Sequence, residues 1–333
     1  MFPVVTSHYA TSILEHLNTQ GIDTQLVISR SGLPTELNES GASFLPLSTV
    51  ENLISETFKV KGYALANRII QSVIRTHIVP QLLQDCPTGS KVGEAIDLAL
   101  SNIQTQLPNA QVSLSLTPTG VSFSRFSPFM PNESYKCAEV FSLWVMIELI
   151  RATTGDRLWL PQLARVQSET DNGIYACFDS SIQFFHSQPH SSIWFDIEIL
   201  NRTCRFNAMG VNDKRKVENE ISGGNIGQIF SALRPYVLDL DFNLDKASLV
   251  SSVSKRTLQR RLKQHGLTFR SLRDNLIADI ALEQLETGLS VSSVAVNLGY
   301  ASISQFSRAF KRITGIAPSK VSAKAHHKVA HLN

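Results

Sequence analysis

Long apolar runs are missing from this chain. The best candidate, Phe141 to Ile150, falls well short of the roughly 20 residues a membrane helix needs and is interrupted by Glu148. The N-terminus lacks a basic flank followed by an apolar stretch, so no secretory signal is expected and the expected location is the cytoplasm, with no membrane partner. Cysteine is scarce: Cys86, Cys137, Cys177 and Cys204 are scattered with no close pair, and read as buried or incidental thiols in a reducing compartment. Catalytic signatures are also missing, with no Gly-x-Ser-x-Gly elbow, no His-Glu-x-x-His and no phosphate-binding Gly-x-x-x-x-Gly-Lys. His186 and His190 have metal-compatible spacing only if helical, against which Pro189 and a nearby strand pattern argue. His326, His327 and His331 lie in a polar tail without a partnering Cys or Asp. No catalytic residue, metal or cofactor is therefore expected.

Proline and acidic residues are both rare in the last third. Twelve of the 13 prolines lie at or before Pro235, and only Pro318 follows. From Lys246 onward 14 Lys+Arg face 4 Asp+Glu, a net charge of +10, whereas the first 245 residues have a net charge of −7. The total of +3 hides this division. A basic, helical back joined to an acidic, loop-rich or mixed front is the simplest reading. A concentrated basic face attracts a polyanion through counterion release, and duplex DNA is the densest polyanion available. At 333 residues with 43% apolar content, the chain suits two domains.

The front opens with helical spacing at Tyr9, Ile13, Leu14 and Leu17, then at Ile22–Ser31, Leu47–Lys61, Ala64–Gln84 and Lys91–Leu107. The period changes to two at Val112, Leu114 and Leu116, turns at Pro118-Thr119-Gly120, and resumes at Val121 and Phe123, which predicts a β-hairpin. A helix follows over Ser134–Thr153, then a second strand signal at Ile193, Phe195, Ile197 and Ile199. Phe184, Phe185 and Trp194 either line a pocket or pack in a core. Asn207–Asn225, containing Lys214-Arg215-Lys216, reads as a linker, and Ile226–Leu240 as a lead-in helix. The expected division is 1–206, 207–239 and 240–333.

In the back, Ser290 is a good N-cap for a short helix with Val291, Val294, Ala295 and Leu298 inward; Gly299 ends it, and Tyr300 anchors the turn. Ser302 or Ser304 caps the next helix, which buries Phe306, Phe310 and Ile313 and ends at Gly315. Its outward face carries Ser304, Gln305, Ser307, Arg308, Lys311 and Arg312. The same plan occurs earlier. Leu244, Ala247 and Val250 mark a short helix, and Ser254 caps Lys255–Gln264, with Leu258 and Leu262 inward. Lys255, Arg256, Gln259, Arg260, Arg261 and Lys263 face outward. Five cations in nine residues repel one another on an ordinary surface, and an anionic partner explains them economically. Thr268 caps a long helix, Phe269 to about Thr287, spanning about 27 Å. Its length suits recognition helices roughly 34 Å apart, one duplex turn.

The stretch Gly288–Ser319, GLSVSSVAVNLGYASISQFSRAFKRITGIAPS, resembles the signature of the AraC/XylS family of bacterial transcription regulators, and SKRTLQRRLKQHGLTF at Ser254–Phe269 resembles that family's first recognition helix. The resemblance covers about residues 243–323 and implies an all-α domain with two helix-turn-helix motifs joined by a long helix, behind a mixed α+β front. It implies base contacts from Arg256, Gln259, Arg260, Ser304, Gln305 and Arg308. Lys255, Arg261, Lys263, Ser302, Ser307, Lys311 and Arg312 are the corresponding phosphate contacts. In the first turn the family pattern has Ala and a later Leu-Gly, where this chain has Ser248 and Ser251-Ser252. Losing the turn glycine costs about 1 kcal/mol if the left-handed conformation is kept. Arg308 is therefore preferred over Arg260 as a specificity residue.

The front more distantly resembles an effector-binding and dimerising domain found in one branch of that family, through GIDTQLVISRSGLP, FLPLSTVENLI and SSIQFFHSQPHSSIWFDIEIL. The expectation is a DNA-binding regulator whose front senses a small molecule of unassigned chemistry, dimerises, or both. Promoter DNA is then its partner, together with RNA polymerase if it activates. A ligand-independent regulator is the alternative. A fused DNA-repair alkyltransferase is a remote third, since none of the four cysteines sits in the Pro-Cys-His setting such an enzyme needs.

Overall fold

A computed structural model describes residues 2–35, 37, 43–127, 133–169, 173–207, 224–239 and 241–321. The described residues form two compact units, one within 2–207 and one within 224–321. Most of the expected linker, including Lys214-Arg215-Lys216, lies outside the described residues, as do His326, His327 and His331.

The front unit opens with β1 (Val4–Thr6), α1 (His8–Thr19), α2 (Thr24–Ser31) and β2 (Phe44–Pro46), with β1 and β2 paired antiparallel. Next comes α3 (Leu47–Val73), which is broken at Gly62, where φ is 70° and ψ 163°; this is where the sequence separates two helical patterns. A wider π turn over Ile74–Ile78 leads into α4 (Val79–Leu82). Pro80 has no N–H to give the helix ladder, and the widened turn before it absorbs the missing bond.

After α5 (Val92–Gln106), β3 (Gln111–Thr117) and β4 (Gly120–Phe126) form the expected hairpin, with Thr117 opposite Gly120. At Gly120 φ is 154°, and a Cβ would stand 2.4 Å from the Trp194 ring, so only glycine fits this turn. Then follow α6 (Glu133–Thr154), β5 (Leu163–Arg165), β6 (Gln183–Phe185), β7 (Ser191–Phe195) and α7 (Glu198–Asn201). The mixed sheet has the order β3-β4-β7-β5-β6, with only β5 and β6 parallel. As an edge strand, β3 is incompletely covered: Val112 and Leu114 are half-buried, and Leu116 is 71% exposed rather than inward.

One further reading changes. The strand signal at Ile193–Ile199 stops at Phe195, because the Asp196 carboxylate accepts the Glu198 N–H (2.9 Å) and starts a helical turn. The apolar stretch Phe141–Ile150 is the centre of α6, a helix buried on nearly all sides and packed on α3. Glu148 sits in it at 3% exposure because Arg75 donates two hydrogen bonds to it (3.0 Å each) and Arg151 a third (2.9 Å). Asn67 joins the same core, accepting from Trp144 Nε1 (2.6 Å) while donating to the Cys177 carbonyl (2.8 Å).

The back unit is helical throughout. It comprises α8 (Gly224–Leu233), a 3-10 turn at Arg234–Tyr236, α9 (Leu244–Ser251), α10 (Lys255–Gln264), α11 (Phe269–Glu286), α12 (Val291–Asn297) and α13 (Ile303–Thr314). The lead-in helix is shorter than its apolar pattern suggests, because Pro235 ends the ladder. One small core joins Ala281, Leu285, Val294, Ala295, Phe306, Phe310 and Val321; another set of buried residues, Ala247, Val250, Leu258, Leu262, Leu272 and Leu276, lies on α9, α10 and the first half of α11.

Candidate nucleic-acid interface

The two helix pairs α9–α10 and α12–α13 are joined by the same turn. In the second, Gly299 is left-handed (φ 72°) and Tyr300 N–H donates to the Ala295 carbonyl five residues back (2.9 Å). In the first, Ser252 takes the left-handed place (φ 50°, ψ 28°) and Val253 N–H donates to Ser248 (3.2 Å), again five residues back. The departure from the glycine pattern is therefore absorbed without changing the turn. Two serines close it: Ser248 Oγ donates to the Val253 carbonyl (2.7 Å) and Ser251 Oγ to Ala247 (2.6 Å).

Caps set where the second helix of each pair begins. Ser254 Oγ accepts from Thr257 N–H, and Ser302 Oγ accepts from Gln305 N–H (3.2 Å each). Ser290 caps α12 and Thr268 caps α11 in the same way. Of the two serines proposed for α13, Ser302 is the cap, which leaves Ser304 free on the exposed surface.

On α10 the inward pair Leu258 and Leu262 turns Arg256, Gln259, Arg260 and Lys263 to solvent. Lys255 is exposed but pairs with Asp245. Arg261 sits on the inner flank, half-buried; desolvation, then Arg260, lower its pKa, and its Nη1 has no hydrogen-bond partner among the described residues. On α13, Phe306 and Phe310 point inward, and Ser304, Gln305, Arg308, Lys311 and Arg312 are exposed. Ser307 lies half-buried on the flank, Ser302 is committed to its cap, and Arg312 pairs with Asp274 of α11 (2.9 Å). Ile313, expected inward, is half-buried. Each helix thus presents a short row of arginine and amide side chains, with the small Ser304 beside the row on α13, and these groups carry the chemistry that reads base edges.

Comparison with known proteins bears on this unit. The helix-turn-helix domain family matches residues 250–324. Residues 250–324 are an AraC/XylS-type helix-turn-helix domain. An uncharacterised HTH-type transcriptional regulator of Mycobacterium bovis is 39% identical over 95 residues, 28% of this chain and 26% of that protein. RipA, an HTH-type transcriptional regulator of Corynebacterium glutamicum, is 38% identical over 78 residues, 23% of this chain and 24% of that protein. The match thus spans about a quarter of these relatives' lengths. Among solved structures, the transcriptional regulator CdpR from Pseudomonas aeruginosa aligns over 94% of this chain and 97% of its own, at 18% identity and a TM-score of 0.38.

Outside the AraC/XylS-type domain, the front unit holds a cavity of about 80 Å³ between β4, α3 and α6, walled by Ile54, Phe123, Phe141 and Met146 and carrying Glu51 and Arg125. Phe184, Phe185 and Trp194 do not line it. Phe184 packs on Tyr175 and Phe178, and Trp194 lies over the hairpin turn. Glu51 and Arg125 went unnoticed in the sequence, although the alternation Val121, Phe123 puts Arg125 next on the inward face.

His186 follows β6 in a loop, with its ring against Tyr175, so the helical spacing to His190 does not exist. Burial pushes the Cys137 thiol up to about 11 and also raises Cys204, the reverse of the shift a nucleophilic cysteine needs. Among the described residues, no group of three or more His, Cys, Asp or Glu is placed to hold a metal, and no helix is long and apolar enough to cross a membrane.

Proposed function

We propose that this chain is a sequence-specific, double-stranded-DNA-binding transcription regulator. In this reading α10 and α13 each enter a major-groove segment, and the front unit biases their engagement by binding a small molecule. The observation that carries the reading is the repeated turn: two caps, two left-handed residues and two outward rows of Arg and Gln on one helical unit. Arg256, Gln259 and Arg260, then Ser304, Gln305 and Arg308, are the base contacts. Lys263 and Lys311 are the best-placed phosphate contacts, because both are exposed and neither has a salt-bridge partner among the described residues. Lys255 and Arg312 have to exchange a carboxylate for a phosphate, and Arg261 supports α10 from its flank. No catalytic group enters this account.

An effector acts here only through different affinity for the DNA-competent state and its alternative. A homodimer fits the same reading, since β3 offers an unpaired edge with Leu116 exposed on it. RNA polymerase is the further partner if the protein activates. Selection of bound sequences from a random DNA pool tests the proposal. A single enriched motif is expected, and the absence of enrichment with intact folded protein contradicts it.

A further inference from the structure

Arg125 is 8% exposed on the inward face of β4, in register with Val121 and Phe123, which are 0% and 1% exposed. Among the described residues its Nη1 is buried without a hydrogen-bond partner, and the Tyr135 ring lies 5.6 Å from the guanidinium carbon. A guanidinium carries five donors, and burying it without an anion is costly. Among the described residues no carboxylate forms an ion pair with it; Glu51, which lines the same cavity, feels its charge from beyond that distance.

We propose that this cavity binds a short apolar monocarboxylic acid, with Arg125 anchoring the carboxylate and Ile54, Phe123, Phe141 and Met146 enclosing the tail. The lining excludes the more polar choices. A sugar needs several hydrogen-bonding partners, whereas the lining carries polar side chains only at Tyr9, Glu51, Arg125 and Ser142, and the Ser142 hydroxyl is already donated to the Ala138 carbonyl (2.8 Å). A phosphate needs more donors than one buried arginine and has no use for hydrocarbon walls. Size sets the chain length. A dry cavity of about 150 Å³ takes benzene, so about 80 Å³ suits only the shortest acids, of about two to four carbons. Glu51 does not forbid it: burial raises its pKa, which favours the neutral carboxyl beside a bound carboxylate. The proposal deepens the sensing reading of the front unit and rests on that reading for its regulatory meaning.

The test is calorimetric titration of the full chain with propionate, butyrate, butan-1-ol, butylamine and 2-aminobutyrate. Butyrate is expected to bind at least about tenfold more tightly than butan-1-ol, as a charge-assisted pair requires, and butylamine not at all. Arg125→Gln, similar in length and uncharged, should erase the preference for the acid while still taking the alcohol, which shows the cavity intact. Equal binding of acid and alcohol, or unchanged butyrate affinity in Arg125→Gln, overturns the proposal. Binding of 2-aminobutyrate more tightly than butyrate also overturns it, because that assigns Glu51 to an ammonium. If Arg125→Gln does not fold, the acid-to-alcohol comparison on the natural chain decides alone. No DNA is present, so failure here leaves DNA recognition standing, and failure of DNA recognition leaves this site standing.

Discussion

Ser252 is a non-glycine residue in the left-handed region, at the turn that sets α10 against α9. The Cβ of an L-residue meets the carbonyl there, at a cost of about 1 kcal/mol, and the Ser248 and Ser251 hydroxyls bracket the turn that imposes it. Ser252→Gly should therefore stabilise the back unit by about 1 kcal/mol, visible as a higher midpoint in urea denaturation, with DNA affinity kept. A neutral or destabilising result means the serine turn is already relaxed. At Gly120 the argument reverses. Alanine there drives a Cβ into Trp194 and should cost about 1–3 kcal/mol, read by the same denaturation. Glu51 supplies a pH signature. Its folded pKa is raised by burial, against the lowering effect of Arg125, so the unfolded chain gives up the proton first. Stability contributed by this group falls as pH rises above about 4.5, the ordinary value, and stays lost above the folded pKa. Glu51→Gln should flatten that fall in melts between pH 4 and 7.5; an unchanged slope means that other groups cause it.

At the scale of elements, what could be read from sequence was local. Ser254, Thr268 and Ser290 were legible as caps because a cap needs only its own helix's first turn. Leu258, Leu262, Phe306 and Phe310 were legible because a 3.6-residue period places an inward stripe without knowing its partner. Arg125 was not, since an arginine breaks the apolar alternation of β4 and only the covering helices make its position internal. Leu116 erred the other way: alternation marks a face, and the end of an edge strand lies beyond the cover. Charge on α10 and α13 was legible, but its division was not. Asp245 and Asp274 come from neighbouring helices and claim Lys255 and Arg312. Two substitutions on α13 separate the roles. Arg308→Ala should cost about 1–3 kcal/mol on the selected sequence and relax preference at one base pair. Lys311→Ala should weaken all sequences alike and reduce the slope of log affinity against log salt by about 1. If Arg308→Ala weakens every sequence equally, Arg308 holds phosphate, and the assignment of bases on α13 fails.

For the whole molecule, charge and architecture divide together. The acidic front contains the mixed sheet and the Arg125 cavity; the basic back contains the two matched helix pairs. In the proposed reading the basic unit takes the polyanion and the front unit modulates it, and any effector acts only through a difference in DNA affinity between two states. The central claim is that a single chain reads DNA with both α10 and α13. Methylation-protection footprinting on the selected sequence tests it most directly, because protected guanine N7 atoms report major-groove occupancy one by one. The account predicts two protected clusters on one face of the duplex, about 10 base pairs apart, with Arg260→Ala uncovering one and Arg308→Ala the other. A single cluster, lost with Arg308→Ala and indifferent to Arg260→Ala, would contradict it and leave α9–α10 as scaffold.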